Sequence, residues 1–197
     1  MVGPIRPRVR TALVALGLCL LGAGFVAWPR LPGGQDTYVH ALWPQQVMTC
    51  LAQGQLPFWL PDLNAGFGSP GIRLYSPGGP FIAGVFGLLL GDAGRGMRLA
   101  LFLSVVATGC IARRLFPSAH PALTLLWVAN PMLAFSFFYR AAFSEMYSMP
   151  LALWLLERHL RGDHKPRREA LGWAGLWLIH APTFVMVSGL TALAALA

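Results

Sequence analysis

Long apolar runs punctuated by arginine constrain this chain more than any other feature. Thr11 to Pro29 and Ala170 to Ala197 hold no Asp, Glu, Lys or Arg. Shorter apolar runs between them are separated by clusters such as Arg113–Arg114 and Arg158–Arg168. A helical run of about 20 apolar residues spans the hydrocarbon core at about 1.5 Å per residue. Charged residues make up only 11% of the 197 and hydrophobic ones 56%, where a soluble domain carries about 25% charged. That balance excludes a disordered chain, a disulfide-built secreted domain and an ordinary soluble enzyme. The net charge of +8 does not point to nucleic acid, because 14 of the 15 basic residues are Arg placed between apolar runs. Such placement orients a chain in a membrane. Cys19, Cys50 and Cys110 show no metal spacing and read as small hydrophobes.

The chain therefore reads as all-α: a polytopic transmembrane helical bundle, residues 1–197 forming a single integral membrane domain. Arg6, Arg8 and Arg10 precede the run from Thr11 to Pro29, which reads as a retained signal-anchor with a cytoplasmic N-terminus. A cleaved signal peptide is the rival, with Gly22-Ala23-Gly24 as a poor cleavage site. Residues 31–96 form a large external loop region. Within it Asp36 opens and Gly54 closes a membrane-surface helix, with His40, Trp43, Val47 and Leu51 on one face and Pro44 as a kink. Phe81–Leu90 is apolar but too short to cross. Spans follow at about Met97–Leu115, Ala119–Phe138 and Met146–Leu160. Arg6, Arg8, Arg10, Arg113, Arg114, Arg158, Arg161, Lys165, Arg167 and Arg168 then lie inside, ten of the 15 basic residues. Ala170–Ala197, divided at His180-Ala181-Pro182, is either one kinked span or a tight pair of short helices. The chain stops within an apolar run, which is expected of part of a longer protein.

This arrangement leaves Asp36, Asp62, Asp92 and Glu145 outside. Asp36 is either an N-cap or a general base or metal ligand. His40, one helical turn on, shares its face and is either a ligand or a packed histidine. Tyr139-Arg140-Ala141-Ala142-Phe143-Ser144-Glu145 sets one cation and one anion between apolar segments. Ionisable groups at such depth pair or line a cavity, so Glu145 is either the internal partner of Arg140 or a second acidic group facing the loop helix. Pro57 to Pro70 is neither helix nor clean strand. It could shape a groove at the membrane surface, with Asp62 and Asn64 holding its turn. Arg73, Arg95, Arg98 and Arg140 either snorkel to headgroups or hold a phosphate.

These residues carry a family resemblance. Gly34-Gln35-Asp36-Thr37-Tyr38-Val39-His40 is similar to the G-x-D-x-x-x-H opening of the first external loop in bacterial GT-C-type membrane glycosyltransferases. Gly54-Gln55-Leu56-Pro57-Phe58-Trp59-Leu60-Pro61-Asp62 resembles their G-x-x-P-x-W-x-P-D/N stretch, as does Gly66-Phe67-Gly68-Ser69-Pro70. Leu90-Gly91, Arg98-Leu99 and Arg113-Arg114-Leu115 match the approach to the second span. Asn130-Pro131, Tyr139-Arg140 and Glu145 resemble the second acidic motif, and Trp177–Thr183 a later H-x-P-T/A segment. The nearest branch carries the label "6-pyruvoyl-tetrahydropterin synthase-related membrane protein", although no zinc-binding histidine cluster of the soluble synthase is present. The resemblance covers nearly the whole chain, as the N-terminal part of a longer GT-C-like fold.

The resemblance implies inverting transfer of a sugar from a polyprenyl-phosphate carrier to an envelope glycan, lipid or protein acceptor. The site would face the outer side of the inner (cytoplasmic) membrane. Asp36 would be the base and Glu145 the second acidic group, together holding Mg²⁺ or Mn²⁺ if a metal is used. His40, Arg73, Arg140, Trp59 and Asp62 would contact substrate. The rival class is a non-enzymatic membrane protein, a transporter or assembly component, or an inactive fragment. A transporter predicts an internal repeat, and the sequence has none.

Overall fold

The structure is a computed structural model and describes residues 7–27, 37–71, 75–117, 120–128, 136–140 and 142–196. Asp36, Arg73 and Asn130 lie outside the described residues. The architecture is all-α, with eight α-helices among the described residues. They are α1 (Pro7–Ala27), α2 (Thr37–Ala52), α3 (Gly78–Leu90), α4 (Ala93–Leu115), α5 (Pro121–Val128), α6 (Phe143–Arg161), α7 (Pro166–Ile179) and α8 (Ala181–Leu196). A π-helical turn, Ser136–Arg140, precedes α6. By length and composition, α4 is the one helix among the described residues long and apolar enough to cross a membrane.

Two contacts at opposite ends fix the direction of α6 against α4. Near the start of both helices the Tyr147 hydroxyl donates to the Met97 carbonyl at 3.2 Å. Near their last turns Arg161 donates to the Arg114 carbonyl at 2.6 Å. The helices therefore run parallel. Helix α1 runs antiparallel to α4, with Leu18 seated on Gly109 and Phe102 on Gly22. The core lies between them: Val14, Leu18, Met97, Ala100, Leu101, Val105, Phe143 and Met146 are all buried.

Helices α3 and α4 form a hairpin. Gly91 has φ 70°, a left-handed conformation that favours glycine, and its N–H caps the Gly87 carbonyl. Asp92 then caps α4 by accepting the Arg95 N–H at 2.7 Å. A Cβ on Gly96 would strike the backbone of Gly87 and Ala83, so only glycine lets these two helices meet this closely. The start of α3 packs on Ser144 and on the Leu178–Ile179 backbone. Those residues mark the start of α6 and the end of α7, so α3 begins at the end of the molecule opposite Arg113–Arg114.

The expected loop helix is present as α2, and Pro44 sits inside it. Gly54, at φ 70°, follows its end. Of the expected span from Ala119 to Phe138 the structure describes α5 (Pro121–Val128) and the start of the π-helical turn at Ser136; residues 129–135 lie outside the described residues. Residues 170–197 divide at His180 into two helices. His180 is extended (φ −158°, ψ 96°), and Phe184 of α8 packs edge-on against both Trp173 and Trp177 of α7. Eleven residues of continuous helix between 173 and 184 would separate them by about 16 Å, so α8 turns back on α7.

The two ends of the bundle differ in charge. At one end Glu157, 1% exposed, lies 3.1 Å from Arg114 and 3.3 Å from Arg161. Arg158 pairs there with Asp163 at 3.0 Å and approaches Glu169 at 3.8 Å. The α6–α7 loop, which carries Lys165, Arg167 and Arg168, leaves from this end, and α1 begins there. The opposite end holds His40, Arg140, Glu145 and His180.

Candidate functional site

Four separate stretches of chain meet at this second end. Helix α2 supplies His40, which is 7% exposed, and sets its ring edge-on to Phe143 at 5.7 Å between centroids. Phe143 opens α6, and Glu145 follows in its first turn. A carboxylate there faces the positive end of the helix dipole. It also meets Arg140 of the π-helical turn, with Nη1 of Arg140 at 3.0 Å from Oε2 of Glu145. The loop after α2 supplies Tyr75 and Ser76. Tyr75 lies between Trp43 and His180, with centroid distances of 6.1 and 6.4 Å. Ser76 Oγ accepts the Ala181 N–H at 2.8 Å, which ties this loop to the α7–α8 break.

His180 anchors the fourth stretch. It is buried, and its Nδ1 lies 2.6 Å from Thr183 Oγ1 and accepts the Thr183 N–H at 3.3 Å. That acceptor role leaves the proton of the neutral ring on Nε2. Thr183 Oγ1 is 3.1 Å from Ser148 Oγ, and Ser148 donates to the Glu145 carbonyl at 2.6 Å. A chain of hydroxyls thus links the α7–α8 break to the turn that carries Glu145. Burial, followed by the positive fields of His40 and Arg140, pushes His180 down from 6.5 to about 4. Its ring is therefore neutral at pH 7.

Two buried hydroxyls beside this cluster, Ser136 Oγ and Ser144 Oγ, have no hydrogen-bond partner among the described residues. An orphaned buried hydroxyl costs about 1–3 kcal/mol, a cost that a bound polar ligand or water removes. Next to the cluster is a cavity of about 410 Å³ with a mostly apolar lining. Leu56, Pro57 and Phe58 form one wall, and Pro77, Gly78, Phe81 and Leu178 the other. Its second wall lies two residues from Tyr75, at Pro77, and two from His180, at Leu178.

Of the residues expected at the site, His40, Arg140 and Glu145 come together. Asp36 and Arg73 lie outside the described residues. Asp62 and Trp59 have contacts with α2 and with their own turn. Asp62 and Gln46 clasp each other: the Gln46 amide donates to Asp62 Oδ2 at 2.9 Å, and the Asp62 N–H donates to Gln46 Oε1 at 3.1 Å. Trp59 packs over Gly68, and an antiparallel bridge between Leu60 and Ser69 closes that turn. No group of three or more His, Cys, Asp or Glu among the described residues can hold a metal ion. One Glu145 oxygen is already bound to Arg140. Asp36, the other expected ligand, lies outside the described residues, so the expected Asp36–Glu145 pair is described only at Glu145.

Sequence reasoning placed His180 and Thr183 in the H-x-P-T/A segment without naming either as a site residue, and it missed Ser148, Tyr75 and Ser76. One local signal was available for the first pair. A histidine immediately before a helix, with threonine three residues on, places a hydroxyl within reach of the ring. Tyr75 and Ser76 join only through tertiary packing. Comparison with protein-family models, curated proteins and solved structures gives no match for this chain.

Proposed function

We propose that this chain belongs to a membrane glycosyltransferase that takes sugar from a polyprenyl-phosphate donor at the outer face of the membrane. In this reading α4, the one helix among the described residues long and apolar enough to cross a membrane, spans the bilayer: its 23 residues correspond to about 35 Å of helix, against a hydrocarbon core of about 30 Å. Helices α1, α6 and α7 run between the same two ends and cross beside it. The Arg114–Glu157–Arg161 end is cytoplasmic and the His40–Glu145–His180 end external, as the positive-inside rule expects.

One observation carries the reading. His40, four residues after Asp36 in the sequence, packs on Phe143 near the Arg140–Glu145 pair, which supports a shared site for the two motifs of the family resemblance. A lipid phosphate and a water-borne acceptor can meet there. Asp36 takes the proton of the acceptor hydroxyl as its oxygen attacks the anomeric carbon. The carbon–phosphate-oxygen bond breaks on the opposite face, which inverts the centre. Arg140, held by Glu145, offers its remaining N–H groups to the phosphate as negative charge develops. The apolar cavity beside Tyr75 and His180 suits the first isoprene units of the carrier.

The test is transfer from a labelled polyprenyl-phosphate sugar in membranes carrying the protein. Asp36→Asn preserves a capping side chain yet should lower transfer about a hundredfold or more. Near-wild-type transfer by that variant ends the base assignment. It would favour the second reading, in which Arg140–Glu145 only joins two helix ends in a non-enzymatic membrane protein.

A further inference from the structure

Helix α6 carries Glu145 in its first turn, yet its own backbone holds that turn weakly. Pro150 lies inside the helix. A proline has no N–H, so the Met146 carbonyl loses the donor four residues on, and the ring crowds that carbonyl. The hydrogen-bond ladder is interrupted between Glu145 and the rest of α6, at a point where helices kink. The direction of the Glu145 turn therefore depends on neighbouring helices. Two of them bond to it. Tyr147 donates to the Met97 carbonyl of α4 at 3.2 Å. Ser148 faces α8, with its Oγ 3.1 Å from Thr183 Oγ1, and donates to the Glu145 carbonyl at 2.6 Å.

His180 sets the direction of the second contact. Its Nδ1 accepts the Thr183 N–H, so the Thr183 hydroxyl, 2.6 Å away, donates to the same nitrogen. Thr183 Oγ1 then turns its lone pairs to Ser148, whose proton serves both Thr183 and the Glu145 carbonyl. Ser76 holds the next residue along, accepting the Ala181 N–H at 2.8 Å. Exposures of 0%, 7% and 6% for Ser148, Thr183 and His180 leave little water to replace these bonds. We propose that His180, Thr183 and Ser148 are positioning residues: they clamp the turn of α6 ahead of Pro150 and so aim the Arg140–Glu145 pair at the donor phosphate. In this role none of the three touches substrate. The aim at a phosphate rests on the glycosyl-transfer reading, whereas the clamp is a property of the fold alone.

Two measurements on the whole protein test this. The first is hydrogen exchange of the Tyr147, Ser148 and Met149 amides in mild detergent. Thr183→Val keeps the side-chain shape without the hydroxyl and should speed exchange there about tenfold, with the α4 amides unchanged. Thr183→Ser should exchange like the wild type, as should His180→Asn, whose amide oxygen takes the capping place of Nδ1. Unchanged exchange in Thr183→Val, or an equal rise along α4, overturns the clamp. The second is transfer from a labelled polyprenyl-phosphate sugar. Thr183→Val should lower it about tenfold or more, and Thr183→Ser should restore it. In an Arg140→Gln background Thr183→Val should have no further effect, because it acts through Arg140. Losses that multiply independently mean that Thr183 only supports the fold, and they overturn the positioning role. Absence of transfer in the wild type ends the glycosyl-transfer reading and the aim at its phosphate, while the exchange result still decides the clamp.

Discussion

Arg140 Nη1 lies 3.0 Å from Glu145 Oε2, and this pair bridges the junction between the π-helical turn and α6. The two partners are unequally exposed: the Arg140 side chain at 36% and that of Glu145 at 10%. The pair therefore has an asymmetric role. The carboxylate needs its partner, while the guanidinium retains access to solvent and to a ligand.

That asymmetry predicts unequal costs of removal. Arg140→Gln strips a largely buried carboxylate of its counter-ion and should destabilise the protein by about 1–3 kcal/mol, below the 3–5 kcal/mol of a fully buried pair. Glu145→Gln leaves Arg140 partly hydrated and still offers an acceptor, so it should cost about 1 kcal/mol or less. Urea unfolding in mild detergent measures both. Equal costs, or a costlier Glu145→Gln, would show that the pair is not organised around the buried carboxylate.

The same cost structure recurs at the opposite end. Glu157 is buried between Arg114 and Arg161, whose side chains are 63% and 54% exposed. Arg114→Gln with Arg161→Gln leaves the carboxylate buried without compensation and should cost about 3–5 kcal/mol. Glu157→Gln frees two arginines that water can solvate and should cost distinctly less. The comparison uses the same unfolding assay, and the order of the two variants is the result that matters.

His180 gives the protein a defined response to acid. Its ring titrates at about 4 in the fold and at 6.5 in the unfolded chain. As pH falls, the unfolded chain takes up the proton first, so the proton stabilises the unfolded state. The contribution of the neutral ring is fully present above pH 6.5. It declines between 6.5 and about 4, where a positive ring would meet the fields of His40 and Arg140. Thermal unfolding followed across that window should show a falling midpoint, and His180→Gln should flatten the slope. An unchanged slope in the variant would assign the acid response to other groups.

Much of the helical pattern was legible in the sequence, and the departures have physical causes. The period of His40, Trp43, Val47 and Leu51, closed by Gly54, located α2 almost to the residue. Helix α4 begins four residues before the apolar run suggests, because Asp92 supplies a cap that hydropathy ignores. Helix α6 begins at Phe143 rather than Met146, since pairing with Arg140 lets Glu145 join the first turn instead of staying in a polar loop. At the site, Arg140 and Glu145 stood out as charges between apolar segments. His180 stood out only as the break in the last apolar run and not as a site residue, because its partners Thr183, Ser148 and Tyr75 converge only when α7 and α8 fold back on α6.

The account depends above all on sidedness: the end with His40 and Glu145 outside, the end with Glu157 inside. Cysteine labelling with a membrane-impermeant reagent in intact cells tests this directly, in a background with Cys19, Cys50 and Cys110 replaced. Gln55 and His164, both exposed, are the probe positions. Gln55 serves better than Asn64, whose left-handed φ of 52° a cysteine would strain. The account predicts that Gln55→Cys is labelled in intact cells and His164→Cys only after the membrane is permeabilised. Labelling of His164→Cys in intact cells, with Gln55→Cys protected, would contradict it.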